Sequence, residues 1–83
     1  MSIEHTRQCA ITITIDENDG RTRAVARMDW QGRRLVGVGR TRAYELLPDR
    51  AAEKLSVSRA LSELVARLDA AGLDAVADHP LPA

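Results

Sequence analysis

The sequence predicts an α+β domain in which a three-stranded antiparallel sheet is followed by one helix that packs on one face of that sheet. Three observations lead to this β-β-β-α layout: a segment that alternates apolar and polar residues, two turn sequences that separate it from two further extended segments, and an apolar stripe at helical spacing in the second half of the chain. We expect a single domain over residues 1–83 with an ordered core at about 9–73.

The first strand is predicted at residues 9–16, where Ile11, Ile13 and Ile15 alternate with polar side chains. The stretch that follows, 16–20, ends in glycine and is rich in residues that favour turns. We therefore expect the chain to reverse there through a four-residue turn and to return as a second strand.

The second and third strands are predicted at about residues 21–30 and 33–42, joined by Gln31-Gly32 in a tight hairpin. A two-residue link fixes the register and so assigns each side chain to one face of the sheet. The face that we expect to receive the helix combines a floor of large apolar residues with a shallow groove of small ones: Ile11, Ile13, Ile15, Met28, Trp30, Leu35, Ala24, Ala26, Gly37 and Gly39.

The helix is predicted to begin at Pro48-Asp49, with Asp49 as its cap, and to end at Gly72. The tail 74–83 is expected to fray. The amphipathic stripe of the helix consists of Val57, Leu61, Leu64, Val65 and Leu68.

Composition excludes several classes of protein. Twelve basic residues balance twelve acidic ones, so the net charge indicates neither a nucleic acid nor an acidic ligand. The N-terminus lacks the apolar core of a signal peptide and no apolar run is long enough to span a bilayer, which predicts a cytoplasmic protein without membrane contact. The one cysteine, Cys9, cannot form an internal disulfide, in agreement with a reducing compartment.

The apolar content also predicts self-association. The chain has no Phe, one Trp and one Tyr, and much of its apolar count is alanine. A core of this size rarely contributes more than roughly 3–5 kcal/mol to the free energy of unfolding, and small domains commonly gain further stability by self-association. We therefore predict a homo-oligomer, in the simplest case a dimer.

The motifs in the chain do not indicate catalysis, a cofactor or a metal. Residues 37–42 begin like a dinucleotide fingerprint, but Arg42 stands where the third glycine belongs and no helix starts there. The acidic turn resembles a calcium loop only in part, because Arg21 and Arg27 occupy the positions of the required glycine and glutamate. The two histidines lie near opposite ends of the chain and do not form a ligand set. We predict a protein that is not an enzyme and holds no cofactor.

Arginines are the feature that stands out. Between residues 21 and 42 the chain has seven arginines and one acid, Asp29. Most fall on the sheet face away from the helix, which leaves three interpretations open: a solvated surface with ion pairs, a protein interface with valines at its centre, or a surface for phosphate backbones. The candidate interaction face comprises Arg23, Val25, Arg27, Arg34, Val36, Val38, Arg40 and Arg42.

Residues 23–43, with ARMDWQGR at 26–33 and VGVG at 36–39, followed by SRALSEL at 58–64, resemble a small actinobacterial family of uncharacterised proteins. The resemblance covers about residues 9–71. It implies a fold related to the double-stranded RNA-binding domain without its N-terminal helix, and it brings no known activity or site residues. The regions through which such domains contact duplex RNA do not match, since the first turn is acidic and the helix opens with DRAAEK rather than a lysine cluster.

These observations favour a non-enzymatic interaction protein that associates with itself through the sheet. The alternative is a nucleic-acid-binding module that uses the arginine-rich sheet face. The sequence does not identify a protein partner of another kind.

Overall fold

The computed structural model describes residues 5–42 and 45–78 of the chain, with side chains as far as residue 71. Three strands form one antiparallel sheet in the order β1-β2-β3, and a long helix follows them. The elements are β1 (Ile11–Asn18), β2 (Arg21–Trp30), β3 (Arg33–Arg40) and α1 (Asp49–Asp78). The predicted α+β fold class and its β-β-β-α order are confirmed.

Both hairpins turn over two residues that have positive φ angles. Asp19 (52°) and Gly20 (71°) join β1 to β2, and Gln31 (48°) and Gly32 (80°) join β2 to β3. Positive φ at both central residues is the type I′ geometry, whose twist matches that of the flanking strands. The four-residue first turn expected from the sequence is wrong, because the turn of this hairpin consists of Asp19 and Gly20 only.

The shorter turn moves β1 by two residues along β2 relative to the expected register. Ile15 pairs with Ala24 and Ile13 with Ala26, and the strand covers residues 11–18 rather than 9–16. Because the side chains of a strand alternate with a period of two, an even shift leaves every side chain on its expected face. The predicted assignment of faces therefore holds although the turn length was wrong.

The helix packs in the groove of small residues that the sequence predicts. Gly37 and Gly39 lie on β3 beneath α1, where an added Cβ would collide with backbone atoms of Ser56, Ala60 and Leu64. Only a residue without a side chain lets the helix backbone come this close to a strand. The structural role predicted for these two glycines is confirmed.

The apolar core is small. Its buried cluster contains Ala24, Ala26, Met28, Ala60 and Leu64, with Leu35, Val57 and Leu61 packed at its margin. Three members of the buried cluster are alanines, which remove little apolar area from water. The limited packing expected within one copy of the chain is therefore present in the structure.

Buried hydrogen bonds at Thr22 connect α1 and the segment after β3 to the sheet. The hydroxyl of Ser56 donates a hydrogen bond to the carbonyl oxygen of Thr22 at 3.1 Å. The N–H of Thr41 donates to the same oxygen at 2.9 Å, and the N–H of Thr22 donates to the Thr41 hydroxyl at 3.3 Å. All three residues are buried, so these bonds satisfy groups that water does not reach. They hold the helix close to the end of β3.

The two ends of α1 differ from expectation. The first helical bond runs from the N–H of Ala52 to the carbonyl of Pro48, so Asp49 lies in the first turn, where its charge suits the helix N-terminus. The predicted end at Gly72 is wrong, because the helix continues past it. Alanines on both sides of Gly72 are strong helix formers and offset the cost of about 1 kcal/mol for one glycine. Residues 79–83 of the expected frayed tail lie outside the described part, and the single domain over the whole chain stays a prediction.

Candidate interaction surfaces

The sheet face away from α1 holds the arginines that the sequence singles out. The register places Arg23 opposite Arg40 and Asp29 opposite Arg34. Arg42 lies two positions beyond the last residue of β3, outside the sheet. We define the arginine face by the remaining candidate residues, which share one side of the sheet: Arg23, Val25, Arg27, Arg34, Val36, Val38 and Arg40. That this face contacts a partner stays a prediction.

The valines at the centre of the arginine face offer little open apolar area. Val25 is only 3% exposed, and Val36 and Val38 are half-buried. Long arginine side chains cover apolar neighbours with their aliphatic stems while their charged ends stay in water. The valines therefore do not form the broad apolar centre that a protein interface requires.

The charges of the arginine face are partly balanced within the sheet. Arg34 pairs with Asp29 at 3.4 Å, and the guanidinium of Arg27 donates to the hydroxyl of Thr14 at 3.2 Å. The ion pair is highly exposed, so it contributes little to stability. Arg23 has Arg40 directly opposite on one side, and within the described residues neither guanidinium has an ion-pair partner. Like charges directly opposite each other are unfavourable in a sheet.

The opposite face contains an apolar surface that sequence reasoning missed. Every residue of β1 is exposed, and the isoleucines keep large open fractions: 48% for Ile11 and 37% each for Ile13 and Ile15. The sequence predicts that the helix covers these side chains. Instead α1 packs on β3 and β2 and barely reaches β1. We call the surface formed by these three side chains the isoleucine face.

The two glycines of β3 explain this offset. The helix sits lowest where the side chains beneath it are missing, and both Gly37 and Gly39 belong to the third strand rather than the central one. A helix centred over that side of the sheet cannot also cover the first strand, two strand spacings or about 10 Å away. The placement of both glycines on one edge strand was the signal in the sequence that could have revealed the open face.

The two edges of the sheet also differ. Beside β3, the guanidinium of Arg59 donates to the carbonyl of Arg40 at 2.6 Å and to the carboxylate of Glu45 at 2.9 Å. The bond from Arg59, together with the backbone N–H of Arg42, lowers the pKa of the Glu45 carboxyl. These contacts close the end of the β3 edge. Within the described residues no strand pairs with the outer edge of β1.

Among residues 5–42 and 45–78, no group of three or more His, Cys, Asp or Glu side chains could hold a metal ion. Cys9 is exposed and its thiol donates a weak bond to the carbonyl of Asp29 at 3.7 Å. In the same part of the chain, no helix combines the length and the apolar composition needed to cross a bilayer.

Comparisons with known proteins agree with this architecture. A family model described as Rv2632c-like matches residues 7–80. The chain is 44% identical over 65 residues to the uncharacterized protein Rv2632c of Mycobacterium tuberculosis, a match that covers 75% of this chain and 69% of that protein. It is 46% identical over 61 residues to the uncharacterized protein Mb1767 of Mycobacterium bovis, a match that covers 70% of this chain and 64% of that protein.

A solved structure shows the same fold. The crystal structure of Rv2632c superposes with a TM-score of 0.82 at 37% sequence identity and covers 98% of this chain and 100% of that chain. The family resemblance found in the sequence is confirmed, whereas the relation to the double-stranded RNA-binding domain stays a prediction. Since both relatives are uncharacterised proteins, the likeness assigns no reaction, ligand or partner.

Proposed function

The chain belongs to the Rv2632c-like family, and we propose that it is a non-enzymatic interaction protein that self-associates through β1, which brings the isoleucine faces of two copies together. The observation that carries this proposal is the exposure of all three isoleucines of β1 on the side where the helix should protect them. Neighbouring exposed apolar side chains of this kind are candidates for a site of protein association.

The dimensions of the chain support a second copy. Its accessible surface is 7027 Å², whereas a compact monomer of 9.1 kDa exposes roughly 4,900 Å². Its Cα radius of gyration is 17.2 Å, whereas a compact domain of 83 residues has roughly 12 Å. The excess surface exceeds the roughly 800 Å² that each partner contributes to a standard interface. The chain therefore exposes enough surface to accommodate an interface of that size.

The isoleucines account for only part of the required free energy. Complete burial of the open portion of each side chain would contribute roughly 1 kcal/mol, so six isoleucines in a dimer contribute at most about 6 kcal/mol. A dimer with a micromolar dissociation constant requires about 8 kcal/mol beyond the entropic cost of association. Further contacts must therefore accompany the isoleucine face.

Light scattering at micromolar concentration tests the proposal directly. We expect a mass near twice the 9.1 kDa of the chain, decreasing toward that of one copy on dilution. The apolar basis of the association predicts little change between low and high salt. A species of 9.1 kDa at every concentration up to about 100 µM, well above a micromolar dissociation constant, would exclude self-association.

A phosphate-binding role of the arginine face is the second candidate. The observation in its favour is the direct opposition of Arg23 and Arg40 without an ion-pair partner among the described residues. A phosphate group between two guanidinium groups would replace this repulsion by charge-assisted hydrogen bonds. The face also contains Asp29, and Asp16 lies opposite Arg23, so its net positive charge is modest.

Replacing both Arg23 and Arg40 with glutamine separates this candidate from a solvated face. If the pair binds phosphate backbones, wild-type affinity for duplex RNA or DNA should fall steeply with salt, and the variant should lose most of that affinity. The matched control replaces Arg50 and Arg67 on α1 by glutamine, which removes the same charge elsewhere. Fluorescence anisotropy at about 50 mM salt is the measurement, since electrostatic binding is strong there; a wild type that binds neither duplex rules this candidate out.

A further inference from the structure

The outer edge of β1 supplies the contacts that the isoleucine face lacks, and this inference rests on the proposed self-association. We propose that the β1 strands of two copies pair antiparallel about a two-fold axis at Ile13, forming one continuous six-stranded sheet. Each copy then contributes the order β1-β2-β3 on its side of the axis. The occupant of the open edge is thus a second copy of this chain.

The first half of β1 lacks the sequence features that prevent an edge strand from pairing with another chain. Proteins usually protect an open edge with lysine, proline, a bulge or an inward-pointing charge. The segment ITITIDEN contains none of these over its first five residues, which are all β-branched and favour extended structure. The β3 edge, by contrast, is flanked by arginines and is closed at one end by Arg59. The unprotected edge is therefore the one that borders the isoleucine face.

The register about Ile13 matches side chains with suitable partners. Ile11 lies opposite Ile15 of the partner subunit, and Thr12 lies opposite Thr14 of the partner subunit. Isoleucine pairs and threonine pairs are favourable across antiparallel strands. Residues that lie opposite each other on antiparallel strands point to the same side of the sheet, so both isoleucine faces lie on the same side of the joined sheet. Six isoleucines then form one apolar strip, with the main chains of both strands hydrogen-bonded below it.

Charge is compatible with this register and favours antiparallel over parallel pairing. Asp16 and Glu17 lie at one end of β1, and Arg7 precedes the strand at the other end. Antiparallel pairing about Ile13 sets the two acids opposite Ala10 and Cys9 of the partner subunit, so no acid faces an acid. It also brings Arg7 toward the acidic end of the partner strand. A parallel pairing would instead align like charges.

Disulfide trapping tests the register. Two variants are made with Cys9→Ala, one carrying Thr12→Cys and the other Thr14→Cys. In the proposed register these two cysteines face each other at 4.5–5.5 Å between Cα atoms, within the range of a disulfide, whereas two copies of the same variant place their cysteines more than 7 Å apart. We expect mild oxidation of the 1:1 mixture to give at least five times the cross-linked dimer of either variant alone.

Light scattering under reducing conditions distinguishes the possible failures. Variants that are dimeric but cross-link no better in the mixture than alone would overturn edge pairing and leave self-association standing. A monomeric wild type would overturn both. Hydrogen exchange of the wild type gives a second readout that needs no substitution: the alternate amides of residues 11–17 that point away from β2 should exchange at least ten times more slowly when the concentration is raised through the dissociation constant. Because alternate amides of β1 already bond to β2, the readout is the other half, which points to the outer edge. Unchanged exchange of those amides in a dimeric protein would also overturn edge pairing.

Discussion

Replacing Gly39 with alanine should unfold most of the protein at 25 °C. The new Cβ would collide with the carbonyl oxygen of Ser56 and the amide nitrogen of Ala60, and would lie 2.8 Å from the Cβ of Arg59. Backbone atoms of a helix cannot rotate away, so α1 must move as a whole and lose its contacts with β3. We expect a cost of about 3 kcal/mol or more, comparable with the whole stability of a domain of this size.

Gly32→Ala is the matched control for this substitution. An added Cβ at Gly32 meets no atom within 4 Å, but its φ of 80° is unfavourable for alanine, so we expect a cost of only about 1–2 kcal/mol. Urea unfolding followed by circular dichroism at 222 nm compares the two variants with the wild type. A Gly39→Ala protein as stable as Gly32→Ala would show that α1 does not rest on β3 as described.

Replacing Ile13 with lysine should convert the dimer into a folded monomer. Ile13 is more than one-third exposed in a single copy, so the substitution should cost a single copy only about 1 kcal/mol. In the proposed dimer the two lysines lie opposite each other on the two-fold axis, where apolar contact is lost and like charges repel. We expect the dissociation constant to rise about 100-fold or more, equivalent to roughly 2.7 kcal/mol.

Ser62→Lys adds the same charge at an exposed position of α1 away from the isoleucine face. Sedimentation equilibrium of both variants measures the dissociation constants, and circular dichroism confirms that each keeps its helix. The control should dimerise like the wild type. An Ile13→Lys dimer as tight as the wild type would place the interface elsewhere on the molecule, with the arginine face as the next surface to test.

The faces of the sheet could be predicted from the sequence because they depend on a local property. Side chains alternate along a strand with a period of two. The wrong length of the first turn shifted β1 by two residues, so each side chain stayed on its predicted face. The pairing of Ala24 with Gly39 and Ala26 with Gly37 followed from the two-residue second turn alone. The end of α1 was missed because the cost of Gly72 is small and is balanced by the alanines around it.

The candidate surfaces were predicted less completely. Seven of the eight predicted residues share one side of the sheet, as strand parity implies, whereas Arg42 lies beyond the end of β3. The burial of Val25 beneath its neighbours was not visible in a one-dimensional pattern. The isoleucine face was assigned to the covered core because an alternating strand beside a helix is normally covered by that helix. Its exposure depends on where the helix lies across the sheet, and strand parity does not determine that position.

The sequence by itself determined the α+β fold class, the side of the sheet that receives the helix and the small residues on which the helix rests. These properties follow from periodicity, turn chemistry and residue size, which act over a few positions of the chain. Only the tertiary structure decided that α1 lies toward β3 and leaves Ile11, Ile13 and Ile15 open. That outcome arises from close packing between Gly37, Gly39 and a helix some twenty residues later, because van der Waals contact between distant segments sets the lateral position of a helix on a sheet.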